Sequence, residues 1–351
     1  MEYKIGLIGC GTVGKGLLEI LTKKREYLKE KFDFEVKVVS ICDKLKGSLL
    51  IPEGINLEKL LQLLESEKNI SEYLEGKPNE AEQMDALEII EKFDADIIAE
   101  LTYTDIKTAE PATSYIKKAF QTGKHVVTSN KGPAALNYRE LKQLAQENNL
   151  FFRIEGTVMS GTPVFNLFEN GLAGNKIKEI KGILNGTTNF ILSKMEEENM
   201  DYEDALRLAQ KLGYAEADPT ADVEGYDALA KIVILSNVFL DGDIKPSDVT
   251  REGITSLSKE EILAAKREGY RYKLIASTKK ENGQIAASVS PQKLPLSDAL
   301  AGIMGANNAL SLDLDLLGKV TIQGPGAGKI ETGYSILTDM LTIHHQLTKQ
   351  I

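Results

Sequence analysis

The chain has 351 residues and a formal net charge of −10, from 42 basic and 52 acidic side chains. That length accommodates two domains, and with no basic patch or run of like charge, nucleic acid and anionic membrane are poor partners. Two cysteines, Cys10 and Cys42, cannot build a disulfide framework, and no apolar stretch reaches bilayer length, so a reducing cytoplasm is the expected compartment.

The start carries no signal-peptide pattern. Tyr3 to Ile8 predicts a short buried strand running into Gly9-Cys10-Gly11-Thr12-Val13-Gly14, followed by a helical pattern to about Tyr27. Between a strand and a helix, a GxGxxG run is a dinucleotide fingerprint. Its glycines permit a tight turn and close approach of a pyrophosphate, and the helix start supplies N–H groups and positive dipole. Val36 to Cys42 predicts the second strand, and Asp43 ends it. An acid there accepts from a ribose diol and favours NAD; Lys44 and Lys46 follow at once and suit a 2′-phosphate, so NADP stays open. Residues 44–86 read as an irregular excursion with an amphipathic helix from Leu57 to Glu65.

A strand over 95–101 ends at Thr102, a helix spans 111–122, and a strand over 125–128 leads to Ser129-Asn130-Lys131-Gly132 in a loop. Strand–helix alternation gives a doubly wound parallel sheet, with ligands beyond the carboxyl ends of its strands, where Thr102 and Lys131 lie. A lysine at such an end is also common as a solvated charge. A helix over 138–148 closes this domain, expected at 1–150. Leu150 to Ile154 begins a second domain, at 151–318. The loop from Glu155 through Val158, Ser160 and Thr162 to Pro163 offers carbonyls and a carboxylate to a hard monovalent cation, or is simply a turn before a helix over 164–169.

A strand over 177–184 reaches Asn185-Gly186-Thr187-Thr188-Asn189, whose N–H groups and hydroxyls suit a carboxylate. Helices over 190–197 and 202–212 follow. Gly213 to Lys231, GYAEADPTADVEGYDALAK, then gathers Tyr214, Glu216, Asp218, Asp222, Glu224, Asp227 and Lys231. Its first half is a loop; from about Asp222 an apolar helix begins. Asp227 and Lys231 are four apart and share a helical face. An ordinary surface ion pair has the same spacing. However, Ile-Val-Ile-Leu follows Lys231 directly, so its ammonium is expected to be walled by apolar groups and to give and take a proton. Carboxylates gathered near it suit capture of a small zwitterion. Strands over 270–278 and 284–289 are expected around the Asn282-Gly283 turn. Val320 to Ile322 leads into Gly324-Pro325-Gly326-Ala327-Gly328 and a last helix over about 331–347, a segment (319–351) returning to the nucleotide domain. His344-His345 in that helix is expected to be structural, and three histidines give no basis for a zinc site.

Taken together, GCGTVG at 9–14, SNKG at 129–132, EGTVMSGTP at 155–163, GILNGTTNFIL at 182–192, the 213–231 stretch and GPGAGKIETG at 324–333 resemble homoserine dehydrogenase over nearly the whole chain. The resemblance implies a Rossmann-type α/β domain plus an α+β domain for substrate and dimerisation. It implies NAD or NADP, with Gly9, Gly11, Thr12, Val13, Gly14, Asp43, Thr102, Lys131 and Gly328 in cofactor contacts. Lys231 and Lys131 match catalytic lysines, and Asp227 the acid beside the substrate oxygen. Gly186, Thr187, Tyr214, Glu216 and Asp222 match the substrate pocket, with Glu216 on the amino group. Glu155, Val158, Ser160 and Thr162 match a sodium loop. A homodimer is expected, and the chain reads as the short form without kinase or regulatory domain. Alternatives are another amino- or hydroxy-acid dehydrogenase, or a nucleotide-sensing scaffold. A phosphorylating semialdehyde dehydrogenase needs a nucleophilic cysteine, for which Cys10 and Cys42 are poorly placed.

Overall fold

A computed structural model describes residues 1–76 and 79–349. The chain forms two compact units, Met1–Asn166 with Gly328–Ile351, and Leu167–Ala327. Among the described residues no helix is long and apolar enough to cross a membrane.

In the first unit, strands β1 (Glu2–Ile8), β2 (Glu35–Asp43), β3 (Gly47–Leu50), β4 (Ile97–Glu100), β5 (His125–Thr128) and β6 (Phe152–Arg153) form one sheet in the order β3-β2-β1-β4-β5-β6. All pairings are parallel except β2 with β3. All four residues of β4 are buried, as a parallel strand covered on both faces requires. Helix Thr12–Phe32 follows β1 and runs a turn past the expected end, closing on Asp33 in a left-handed conformation. The 44–86 excursion holds helix Leu57–Glu65, as expected, and the unexpected β3. The C-terminal helix, Lys329–Thr348, packs against Thr12–Phe32. A Cβ on Gly333 would stand 2.6 Å from the Leu17 nitrogen, and one on Gly16 would strike the Lys329 carbonyl. Only paired glycines admit that approach.

Leu150 to Ile154, expected to open the second domain, instead supplies β6, which pairs with β5. The second unit is built on β7 (Ile177–Ile183), β8 (Val249–Arg251), β9 (Tyr270–Glu281), β10 (Gln284–Pro295), β11 (Asn307–Leu314) and β12 (Gly318–Pro325). Their order is β12-β11-β7-β9-β10-β8, antiparallel except for β8 with β10. The β9–β10 hairpin turns at Asn282 and Gly283, with φ of 50° and 81°, the left-handed pair that an Asn-Gly turn provides. Strand β12 belongs to this sheet, so the chain re-enters the first unit only at Gly328. Helix Tyr226–Phe239 is buried without a break from Ala228 to Asn237, which explains its unpatterned apolar sequence.

Candidate active site

The nucleotide loop follows from its glycines. Gly9 is left-handed, at φ 96°, and a Cβ there would meet the Leu101 carbonyl at 2.5 Å. Its N–H donates to the Cys42 carbonyl at 2.8 Å. Helix Thr12–Phe32 starts behind Gly11 with no side-chain cap and no acid in its first turn. Its leading N–H groups therefore suit an anion such as a pyrophosphate. Asp43 serves this loop from the end of β2. Its Oδ2 accepts from the Cys10 N–H at 2.7 Å and its Oδ1 from those of Leu45 and Lys46, each at 3.0 Å. The Lys46 ammonium donates to the Cys10 carbonyl. The acid expected to meet a ribose thus also shapes the turn.

At the ends of β4 and β5 stands a residue the sequence reading missed. Glu100 is fully buried and accepts from the Thr102 N–H at 3.0 Å, from the Thr102 hydroxyl, from the Thr128 hydroxyl at 2.8 Å and from the Asn130 side chain. Burial pushes its carboxyl above the ordinary range, against the pull of these donors. Asn130 Nδ2 also reaches the carbonyls of Thr102 and Tyr103, at 3.3 and 3.2 Å, and its Oδ1 caps Gly132 N–H at 3.0 Å. Lys131, expected in a loop, is the first residue of helix Lys131–Leu136. Gly328, the other expected cofactor contact, sits at φ 150° before the C-terminal helix.

In the 155–163 loop the fully buried Glu155 accepts the N–H groups of Phe165 at 2.9 Å and Asn166 at 2.7 Å. It thereby caps the start of helix Val164–Gly171. Its own N–H donates to Asp339 at 2.7 Å, and the Ser160 carbonyl accepts from the Ser335 hydroxyl. Carboxylate and carbonyl oxygens carry several lone pairs, so this set is compatible with a hard cation as well.

The second unit holds the densest polar cluster. Lys231 is only 8% exposed; its Nζ donates to the Leu184 carbonyl at 2.6 Å and to Asp227 Oδ2 at 2.7 Å. That Asp227 oxygen also accepts from Asn185 Nδ2 at 2.9 Å, which donates in turn to Asp222 Oδ1 at 2.7 Å. Burial raises the Asp222 carboxyl, and the charge of Asp227 raises it further. Asn185 Oδ1 caps helix Gly186–Glu197 through the Thr188 N–H at 2.9 Å, so one amide joins the helix start to both acids. Sequence reasoning placed Asn185 in the turn without this role, although an Asn before a helix is a cap signal. The Thr187 hydroxyl donates to the Tyr214 carbonyl at 2.7 Å, and the Tyr214 ring stacks on Phe190 with centroids 4.8 Å apart. A Cβ on Gly186 would stand 2.6 Å from the Ala306 carbonyl. Glu216 is exposed, its carbonyl held by Gln210 Nε2 at 3.1 Å. Among the described hydrogen bonds its carboxylate does not join the Lys231 cluster.

A glycine turn opening a helix on a parallel sheet, with a buried lysine–carboxylate pair in a second unit, is the equipment of a nicotinamide-dependent oxidoreductase. A family model described as homoserine dehydrogenase matches residues 163–341, and one described as its NAD binding domain matches 9–155. The chain belongs to the homoserine dehydrogenase family. It is 44% identical to the NAD(+)-dependent homoserine dehydrogenase of Pseudomonas canavaninivorans, over 99% of this chain and 98% of that one. The crystal structure of a putative homoserine dehydrogenase from Archaeoglobus fulgidus matches with a TM-score of 0.86 at 37% identity, covering 97% of this chain and 99% of that one. A hyperthermophilic archaeal homoserine dehydrogenase in complex with NADPH gives a TM-score of 0.82 at 32% identity, covering 97% of each chain.

Proposed function

We propose that Lys231 is the proton donor and acceptor in this chain for the family's reaction, the NAD(P)-dependent interconversion of L-homoserine and L-aspartate 4-semialdehyde. That reaction stands at the branch of aspartate metabolism leading to threonine, methionine and isoleucine. The observation carrying the assignment is the buried Lys231 Nζ, 2.7 Å from Asp227 Oδ2 on the same helical face. Bound nicotinamide supplies or accepts a hydride at its C4. In the reducing direction Lys231 gives its proton to the alkoxide forming on the substrate, and in the other it takes the hydroxyl proton. Asp227 orients the ammonium, and Asn185 fixes Asp227. The start of helix Gly186–Glu197, with Gly186 and Thr187, meets the substrate carboxylate, and Glu216 meets its ammonium beside Tyr214 and Asp222. Lys131 is the second catalytic lysine that the family pattern implies, stabilising negative charge on the same oxygen.

Replacing Lys231 with Ala should lower kcat by ~10²–10⁴-fold, the usual effect of losing a proton-transfer group, with NAD(H) affinity nearly intact. Unchanged turnover would remove Lys231 from the mechanism. Gly9, Gly11, Thr12, Val13 and Gly14 hold the pyrophosphate, with Thr102 and Gly328 as further cofactor contacts. NAD is the preferred cofactor: Asp43 stands at the end of β2, and Lys46, one of the two cations with Lys44 that suit a 2′-phosphate, is engaged with the Cys10 carbonyl. The name of the Pseudomonas relative agrees, whereas the archaeal relative is in complex with NADPH. A kcat/KM for NADP equal to or above that for NAD would reverse the preference. Glu155 with the carbonyls of Val158, Ser160 and Thr162 would hold Na⁺, which would stiffen that loop.

A homodimer through the second unit is favoured by its sheet. Helix Tyr226–Phe239 lies on one face, where the Ser236 hydroxyl donates to Thr278 at 2.8 Å. The neighbouring Ser277 points to the other face, in register with Lys181 and Ser288, all half-buried in the single chain. A second copy laid on that row would complete its burial, and sedimentation at one-chain mass would refute it. Cytoplasmic residence is proposed from the enzyme's biosynthetic role.

A further inference from the structure

Lys273, on β9, has no place in this chemistry, yet its side chain is the most completely buried of the lysines in the core, at 0% exposure. Its Nζ donates to Asn189 Oδ1 at 2.8 Å and to the Ile303 carbonyl, with Met304 Sδ at 3.4 Å. These partners are neutral, and no ion pair to it is found among the described residues. The charges around it are otherwise engaged. Arg271, two residues back, holds Glu196 of helix Gly186–Glu197 at 2.7 Å, and Lys266 of helix Lys259–Arg267 donates to the Glu196 carbonyl at 3.0 Å; Glu197, the last residue of its helix, is exposed. Burial, then Arg271, pushes the Lys273 amine down to about 7, against the pull of Glu196 and Glu197.

The partners of Lys273 are the useful part. Asn189 Nδ2 donates to the carbonyls of Ile303 and Asn307, at 3.2 and 3.0 Å. The Gly305 N–H donates to the Ser193 hydroxyl at 3.0 Å, which itself donates to the Asn189 carbonyl at 2.7 Å. The 303–307 loop is thus sewn to helix Gly186–Glu197 at Asn189 and Ser193, and its Ala306 carbonyl presses on Gly186. Lys273 ties both pieces to the sheet.

We propose that Lys273 is a positioning residue for substrate binding: through Asn189 and the Ile303 carbonyl it fixes the helix turn that presents Gly186 and Thr187. It rests on the reading above that Gly186 and Thr187 meet the substrate. Without its N–H groups Asn189 Oδ1 loses its donor, the Ile303 carbonyl keeps only Asn189 Nδ2, and the turn is free to shift.

The test is a KM-against-kcat split in the full-length enzyme. Lys273→Met, which keeps an unbranched chain one atom shorter and removes the donors, should raise KM for homoserine about tenfold while kcat and NADH affinity stay within about twofold. Asn189→Ala should give the same split, and the double variant should be no worse than the poorer single one. A folded Lys273→Met enzyme with wild-type KM overturns the proposal, as do multiplying KM effects or NADH affinity falling in step with KM. Should Lys273→Met fail to fold, Asn189→Ala alone decides by the same criterion. Thr187→Val separates the two readings: a raised KM there with no change in Lys273→Met sinks only the brace. An unchanged KM in Thr187→Val removes the substrate turn itself and the brace with it.

Discussion

Glu100 in the first unit and Lys273 in the second are mirror cases. Each is a fully buried ionisable group satisfied by uncharged partners, a carboxylate among N–H and O–H donors and an amine among oxygen acceptors. Each supports residues expected to meet a ligand, Thr102 and Lys131 beyond the ends of β4 and β5 in one unit and the Gly186-Thr187 turn in the other. Burial drives both toward their neutral forms, raising the carboxyl and lowering the amine. In both units a turn proposed to meet a ligand is held by one buried side-chain hub, Glu100 at the end of β4 and Lys273 within β9, while the groups proposed for chemistry sit on the turn or on a separate helix. Lys231 differs from both, because it has a carboxylate in contact.

Glu100, Lys273 and Asn185 should differ measurably when each is removed. Glu100→Ala should have the largest effect on stability, about 3 kcal/mol or more by denaturant titration, since it strands several buried donors at once. Glu100→Gln should cost less, because one oxygen still accepts. A loss below about 1 kcal/mol for the alanine variant would show that Glu100 is not a hub. Next come opposite responses to pH. The raised Glu100 carboxyl binds a proton more tightly in the folded chain, so its contribution is full at low pH and is lost as pH climbs past the ordinary carboxylate value. The lowered Lys273 amine binds its proton less tightly when folded. Its burial therefore costs most below pH about 7, and the cost fades as pH rises toward the ordinary lysine value. Melting temperature of wild type minus Lys273→Met should accordingly rise with pH across that window; a flat difference would contradict the burial argument. The smallest effect is expected from Asn185→Ala, about a tenfold loss of kcat, because Asp222 and Asp227 would face each other without the amide that now joins them. An Asp222 carboxyl that does not rise further, followed by NMR titration, would contradict that view.

Local sequence revealed what local sequence determines. The Gly9 to Gly14 turn, the i,i+4 spacing of Asp227 and Lys231 and the Asn282-Gly283 hairpin are short-range signals, and each is found in the structure. The hubs were invisible because their partners are distant: Lys273 meets Asn189, 84 residues away, and Asn185 meets Asp222 and Asp227, 37 and 42 residues away. In Tyr270-Arg271-Tyr272-Lys273-Leu274 the lysine reads as one more polar strand residue. Glu100 closes an apolar run and looks like a strand terminator. Strands β3, β8 and β11 were missed for related reasons. The first two are only four and three residues long, and β11, Asn-Asn-Ala-Leu-Ser-Leu-Asp-Leu, gains its meaning only between β7 and β12. Helix Lys259–Arg267 is mostly charged, though its Ser258 and Glu261 form a capping box that could have announced it.

The glycine notch at Gly16 and Gly333 has a consequence for biosynthesis. A ribosome releases the Leu167–Ala327 unit complete, while the half begun first still waits for the helix that seats in its notch. Dinucleotide capture would then wait for helix Lys329–Thr348, some three hundred residues after the fingerprint at 9–14.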